Sequence, residues 1–487
     1  NSTVTLSDGT LLNITGTAVP ILDVRAGQTA FFGLPTPGII TGSDVVVAGT
    51  ITIAPGGGVF LTNFNPAIPS QGVIITDAIN SPGGEVVLDS TNGIAVAGVI
   101  NLSNINGLGG DVTLLGGNGD ILFTAGSGIN STGVLGGNIR IETAGRFSAT
   151  QGGIASFSIG PAPGLRGGDI FIDVGSMFLD NSIIETSTIP LALLQLNSPQ
   201  VLAEADAGNI TIRARDEITL SNTSLVRGLI RSGGIGKAAD VDIQARSLFV
   251  TGGSQIGSGF FREQTQVGTG VFFPGGQGSP GNITINAIDQ IFLSGINQNG
   301  FSSGLIAGTE RGASGVAGDV TVNIPTGVLQ IQEGAIIATL TRNPSAGGNV
   351  FIDAGAVELF TGGKILANTD GGGAGGEIDI RADRITIDGV DPNFGARLLL
   401  IDNYLRTQAP SDTLADVFGG IVNSNSGLFA NTDGRGTTDS ITLNAREITV
   451  SNAGVISSDT GASGNAPAGN IIIGNPTTPV ASLNVLS

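Results

Sequence analysis

The chain has no His, no Cys and no Trp, and only one Tyr and one Met among its 487 residues. Without thiolate or imidazole there is no soft ligand set for zinc, iron or copper, no Cys nucleophile and no Ser-His-Asp triad. Disulfides are excluded as well, although that absence alone assigns no compartment. Basic residues are scarce: 20 Lys and Arg against 39 acids give a formal charge of -19. A chain of that sign lacks the basic stripe that phosphate backbones require, so no nucleic-acid partner is expected. Charged residues reach only 12%, about half the usual share, yet 40% of residues are hydrophobic, which argues against disorder. No apolar run approaches the roughly 18 residues of a membrane helix, so no transmembrane segment is expected. The chain opens at Asn1 without a basic-then-apolar leader, which suits a processed or excerpted exported chain.

What is abundant is glycine, 80 residues of it, and it punctuates a repeat. A small residue, then Asn, Asp or Glu, then an alternating aliphatic phrase recurs twelve times. Examples are Gly110-Asp111-Val112-Thr113-Leu114, Gly208-Asn209-Ile210-Thr211-Ile212 and Gly281-Asn282-Ile283-Thr284-Ile285. Copies run from Gly84 to Gly469 and start 26 to 42 residues apart, with one interval of 63, so the unit is near 30 residues. A second phrase follows, as in Ile291-Phe292-Leu293-Ser294, and then a third, as in Ile336-Ile337-Ala338. Period-two alternation of Val, Ile and Thr broken by Gly, Asn and Asp marks strands and turns. No unit of 30 residues can bury its own aliphatic face, but stacked units can. The expected fold is therefore all-β: one parallel β-helix with three short strands per rung. Roughly 15 rungs at about 4.8 Å would make a rod of about 70 Å.

From Asp111 onward the residue after the small one alternates acid and amide: Asp111, Asn138, Asp169, Asn209, Asp240, Asn282, Asp319, Asn349, Glu377. Stacked carboxylates one rung apart repel by about 1 kcal/mol even in water, and an interposed amide relieves this. These nine residues are a candidate structural ladder; the plainer reading is that Asn and Asp are turn formers.

Residues 1–83 share the composition but not the phrases, and are read as less regular amino-terminal rungs preceding a regular helix over 84–487. Inserts near 183–207, 254–280 and 389–437 interrupt the regular part and are expected to emerge as lateral loops. They carry the uncommon side chains Phe260, Phe261, Phe272 and Phe273 in one and Tyr404 and Leu405 in another. Two readings are open for them: a satellite core on one face, or a self-association patch.

Chemical readings are weak. Glu377, Asp379, Asp383, Asp388 and Asp391 form the densest acidic region, but Arg381 and Arg384 interleave them, which favours a solvated charged face over a glycosidase pair. Gly116-Gly117-Asn118-Gly119-Asp120 is similar to a calcium-binding nonapeptide turn but occurs once, so it is read as a corner. No cofactor is expected beyond weak calcium binding by the acidic surface.

The Gly-Asn-Ile-Thr-Ile phrase, the Ile-Thr-Leu-Ser phrase and Ser426-Gly427-Leu428-Phe429-Ala430-Asn431-Thr432 resemble cyanobacterial filamentous-haemagglutinin-like exoproteins over about residues 84–487. The resemblance implies a right-handed β-helix, two-partner secretion and an adhesive or structural role at the cell surface. Asn-Pro-Asn-Gly motifs of the family's secretion domain are missing; Asn65-Pro66-Ala67 and Thr91-Asn92-Gly93 are the nearest phrases. The expected function is thus non-enzymatic and extracellular, with same-family neighbours or surface polysaccharide as partners. The strand-like ends Thr3-Val4-Thr5-Leu6 and Ser482–Leu486 point to head-to-tail homo-polymerisation. The alternatives are a polysaccharide-active β-helix enzyme and a monomeric adhesin segment of a longer exoprotein.

Overall fold

The repeated phrases form parallel strands stacked in register, and the fold of the computed structural model is an all-β parallel solenoid with three strand positions per rung. The structure describes 45–47, 49–63, 73–195, 202–265, 271–370, 372–408, 413–418, 422–432, 436–437, 440–460, 467–474 and 479–486. Before residue 45 it describes only the strand segments 4–6, 11–14, 21–26, 30–31 and 34–35. Thr3 and Asp439, which belong to two of the phrases, lie outside these. The chain divides into two compact units, Asn1–Glu217 and Ile218–Ser487, and the change in repeat regularity near residue 83 falls inside the first.

In the first unit the leading phrase stacks as Gly58–Asn63, Glu85–Ser90, Asp111–Leu115, Ile139–Glu142, Ile170–Val174 and Ile210–Ala214. Register aligns Val59, Val86, Val112, Ile139, Ile170 and Ile210 in one inward column, each at most 1% exposed. The third phrase supplies the opposite wall, with Ile79, Ile100, Ile129, Ile154 and Ile184 stacked in the same way. Because side chains alternate across a strand, one rung places three or four aliphatics inside, and the rung above covers them.

In the second unit the first and second phrases are not separate strands. They run together as Val241–Thr251, Ile283–Ser294, Val320–Gln332, Val350–Phe360, Ile378–Asp388 and Ile441–Ser451. The corner survives as an irregularity, for example between Asn286 and Gln290, where the pairing shifts. In the first unit residues such as Gly116-Gly117-Asn118-Gly119-Asp120 separate two strands at this corner, whereas in the second the linking residues, such as Ala287-Ile288-Asp289, stay within one strand and bend as a bulge.

The small residue of each leading phrase answers a steric demand. A Cβ on Gly137 would stand 2.1 Å from the Gly110 carbonyl oxygen, and one on Gly168 2.1 Å from that of Gly137. In the second unit the same column gives 1.9 Å from Gly318 to Gly281 and 2.0 Å from Gly348 to Gly318. Hydroxyls from the third phrase bond to these crowded carbonyls: Ser131 Oγ donates to Gly110 O at 2.7 Å, Ser156 Oγ to Gly137 O at 2.8 Å, Ser258 Oγ to Ala239 O at 2.7 Å and Thr339 Oγ1 to Gly348 O at 2.6 Å. These buried Ser and Thr residues satisfy acceptors that water cannot reach. Another corner uses the left-handed region, where Gly126 (φ 81°) is followed one rung later by Gln151 (φ 51°), a non-glycine held there by its neighbours.

The inserts differ from plain loops. Residues 183–207 contain a core strand, Ile183–Thr188, a short helix α1 (Leu191–Leu194) and a strand, Ala203–Asp206, that pairs with Pro161–Arg166. The 254–280 segment begins inside a regular rung, since Gln255–Phe260 pairs with Leu225–Ile230 and Gly304–Thr309. The 389–437 segment, expected as a loop, holds helices α2 (Phe394–Gln408) and α3 (Leu414–Phe418) before rejoining the sheet at Gly427–Phe429.

Candidate functional site

All nine candidate ladder residues lie among the described residues, and most are joined to a stacked neighbour by hydrogen bonds. In the first unit the Asn138 backbone N–H donates to Asp111 Oδ1 at 2.7 Å, Asp169 N–H to Asn138 Oδ1 at 3.0 Å and Asn209 N–H to Asp169 Oδ1 at 2.8 Å. In the second unit the chain of bonds runs from Asn282 to Asp240 (3.0 Å), Asp319 to Asn282 (2.9 Å), Asn349 to Asp319 (2.8 Å) and Glu377 to Asn349 (2.9 Å). Every one of these bonds uses a side-chain oxygen reaching the main-chain N–H of the next rung, which both Asp and Asn can supply. The amide adds a second link where it sits above an acid: Asn138 Nδ2 donates to Asp111 Oδ1 at 3.2 Å and Asn349 Nδ2 to Asp319 Oδ1 at 3.1 Å. The ladder is a device for holding rungs in register.

The acidic region does not converge. Asp383 lies 4.0 Å from Arg446 Nε, and Asp388 Oδ1 accepts from Ser451 Oγ and Asn452 Nδ2 at 2.6 and 2.7 Å. Glu377 sits in the ladder, and Arg384 turns away to Glu358 at 2.7 Å. Asp391 departs from the expected solvated face, being only 8% exposed. The Gly116–Asp120 phrase is a stacked corner: Asn118 N–H donates to Thr91 O at 2.9 Å and Asp120 Oδ1 accepts the Arg146 N–H at 2.8 Å. Among the described residues no group of three or more acids could hold a metal ion.

The proposed self-association residues need correction. Phe260, Phe273 and Leu405 are 2%, 0% and 5% exposed and pack inside their own unit, so they cannot form a contact surface. Phe261 is half-buried beneath the Arg231 guanidinium, 5.1 Å from its ring centre. Tyr404 stacks edge-on against Phe301 at 4.9 Å. Of the six, only Phe272 is exposed, at 52%. Burial wins because each insert must cover its own apolar side chains before it can offer any to a partner.

The least legible feature is a buried charged cluster under α2. The helix is started by an Asp391 turn, whose Oδ1 accepts the Asn393 N–H at 2.8 Å, and its inner face is Arg397, Ile401 and Leu405, four residues apart. Arg397, 3% exposed, donates through Nε to Gly300 O at 2.9 Å, through Nη1 to Gly334 O at 3.2 Å and through Nη2 to Ser302 Oγ at 2.6 Å; its guanidinium also lies 4.6 Å over the Phe418 ring. Lys364, 3% exposed, reaches Gly362 O at 3.2 Å. Burial first, then the Arg397 charge, lower the Lys364 ammonium from 10.5 to about 7, while Asp391 opposes the shift. Burial likewise lowers the Arg397 guanidinium to about 10, with Asp391 again opposing. The sequence signal was the i, i+4, i+8 spacing of Arg397, Ile401 and Leu405; it is masked by Leu399 and Leu400, which are 72% and 41% exposed on the other face.

The Lys364 shift sets a pH dependence. The unfolded chain keeps this proton up to about pH 10, and the folded chain releases it near 7, so the unfolded state binds more protons across that window and stability rises with pH through it. Below about pH 7 the full penalty of the buried ammonium stands. Replacing Lys364 by Met should therefore stabilise the protein at about pH 6 by on the order of 3 kcal/mol, with the gain shrinking toward pH 10. Urea denaturation of both proteins across that range checks it; a pH-independent difference would mean the ammonium is not desolvated.

No protein-family model, no curated protein and no solved structure matches this chain.

Proposed function

We propose that this chain is a non-enzymatic, extracellular structural or adhesive protein that assembles head to tail by adding the rungs of one copy to those of the next. One observation carries the reading: the strands stack in parallel and in register from rung to rung, so each rung presents an edge of the same pleat as the one it pairs with. Ile471–Ile473 and Ser482–Val485 pair in parallel with Ile441–Ser451 on one side, and among the described residues no strand pairs with their other edge. Ile471 and Ile473 are 45% and 38% exposed, and Leu483 and Val485 49% and 72%, whereas Ile441, Leu443 and Ile448 one rung below are fully buried. Among the described residues the side chains of these two strands are uncovered, and the strands carry the same pleat as the rung they pair with. A second copy of the chain supplies strands of the same pleat, and such contact between unlike faces propagates. The resemblance of the repeated phrases to filamentous-haemagglutinin-like exoproteins supports the surface location and export by two-partner secretion.

Mass photometry and negative-stain microscopy of the purified chain test the assembly. Concentration-dependent oligomers that lengthen along one axis are expected, and the double substitution Leu483→Glu, Val485→Glu should reduce them to single copies. A chain that stays monodisperse and monomeric when concentrated overturns the assembly and leaves the fold untouched.

A further inference from the structure

The first unit carries a hollow of 510 Å³ on the outer face of its third-phrase sheet, where α1 overhangs it. Three consecutive rungs make the floor. Register places Val99 beside Gly128 and Gly153, and Asn130 beside Ala155. Gly128, Gly153 and Ala155 line it together with Val99 and Phe157 and, from α1, Leu191 and Leu194.

The glycines here are not equivalent. A Cβ on Gly128 would stand 2.1 Å from Gly153 O, so that glycine serves the backbone. A Cβ on Gly153 would meet nothing within 4 Å, and its φ is not left-handed, so the backbone makes no demand for glycine there. What the missing side chain leaves is space in the hollow.

The polar groups around that space are uncharged and unspent. Asn130 Oδ1 accepts the Thr132 N–H at 3.1 Å, but its Nδ2 has no partner among the described residues. The same holds for the Gln151 and Gln195 side-chain amides and the Thr132 hydroxyl among the described residues, although Thr132 is only 6% exposed. Thr132 is buried, Asn130 is half-buried and the Gln151 and Gln195 amides are exposed, so the hollow offers a ligand hydrogen-bonding groups that no other side chain occupies among the described residues. None of the lining residues is charged, and the chain carries -19 overall, which disfavours phosphate, sulfate and uronate ligands. Amides and hydroxyls that both donate and accept, set between apolar walls, suit a molecule that alternates hydroxyls with C–H faces.

We propose that this hollow binds a segment of neutral oligosaccharide, the Asn130, Thr132 and Gln151 side chains bonding its hydroxyls and Val99, Phe157 and Leu194 packing on its C–H faces. The site gives the adhesive reading its ligand class and rests on that reading, but not on rung stacking.

The test titrates the purified chain, by calorimetry and saturation-transfer NMR, with hexasaccharides of glucose, mannose, galactose and xylose, and with oligogalacturonate as the acidic control. Binding of at least one neutral sugar is expected, weakened about tenfold or more by Gly153→Leu with no change in the denaturation midpoint. The isosteric Thr132→Val should weaken it in the same direction, and Thr132→Ser should restore it. No neutral binding at about 10 mM, a Kd far weaker than any built site gives, overturns the proposal. So does preference for oligogalacturonate, or binding that survives both Gly153→Leu and Thr132→Val. A chain that binds sugar as a monomer keeps this site and loses the assembly; one that assembles without binding loses this site alone.

Discussion

Replacing Ile283 by Asp should unfold most of the second unit. Ile283 is fully buried, with Val241 directly below it and Val320 directly above, so its side chain touches only aliphatic neighbours in the column. A carboxylate there loses its hydration without gaining a partner, on top of the lost packing of the isoleucine. Each contribution is a few kcal/mol, and together they exceed about 4 kcal/mol, the range reserved for named failures of a core. The neighbour Thr284 faces outward on the same strand, and Thr284→Asn should change stability by less than about 1 kcal/mol. Urea denaturation followed by circular dichroism separates the two. An Ile283→Asp protein with an unchanged midpoint would mean that the column does not point inward.

Much of this architecture is legible in the sequence because the solenoid repeats its instructions. Val112, Ile139 and Ile210 recur at the same place after a small residue, and such a pattern predicts both the inward column and its register. The ladder residues are visible for the same reason, though the alternation suggested charge relief, whereas the bonds run chiefly from side-chain oxygen to the next main-chain N–H. What repeats only once is harder to read. Helix α2 and the Arg397 cluster occur in a single insert, and the role of Arg397 depends on the carbonyls of Gly300 and Gly334, contributed by two different rungs. The fusion of first and second phrases into one strand is similarly hidden, since no residue type marks it: Gly327 and Gly355 lie inside fused strands, while Arg215-Asp216, without glycine, separates two. The hollow of the first unit is invisible in a strand pattern because its defining residue, Gly153, resembles every other glycine of the chain until its surroundings are known.

That contrast between glycines leads to an expected result as large as the first. Gly318→Ala should destabilise the second unit by about 3 kcal/mol or more, although it adds one methyl group to a strand. The new Cβ would lie 1.9 Å from Gly281 O, 2.8 Å from the carbon that bears it and 3.2 Å from Asn282 Oδ1. None of these atoms can swing aside, since two are backbone and the third accepts the Asp319 N–H at 2.9 Å. To relieve the contact the two rungs must move apart by more than an ångström-scale adjustment, and doing so lengthens the Asp319–Asn282 bond and the neighbouring pairs Ile283 to Val320 and Ile285 to Val322. The strain therefore spreads along the strand and is not absorbed at one residue. In the first unit Gly153→Ala, which meets no atom, should leave stability within about 0.5 kcal/mol of the starting protein. Both substitutions share the same propensity change, so propensity cancels in the comparison and the difference reports the close approach of one rung to the next. Equal denaturation midpoints for the two variants would show that the glycine column reflects turn preference alone.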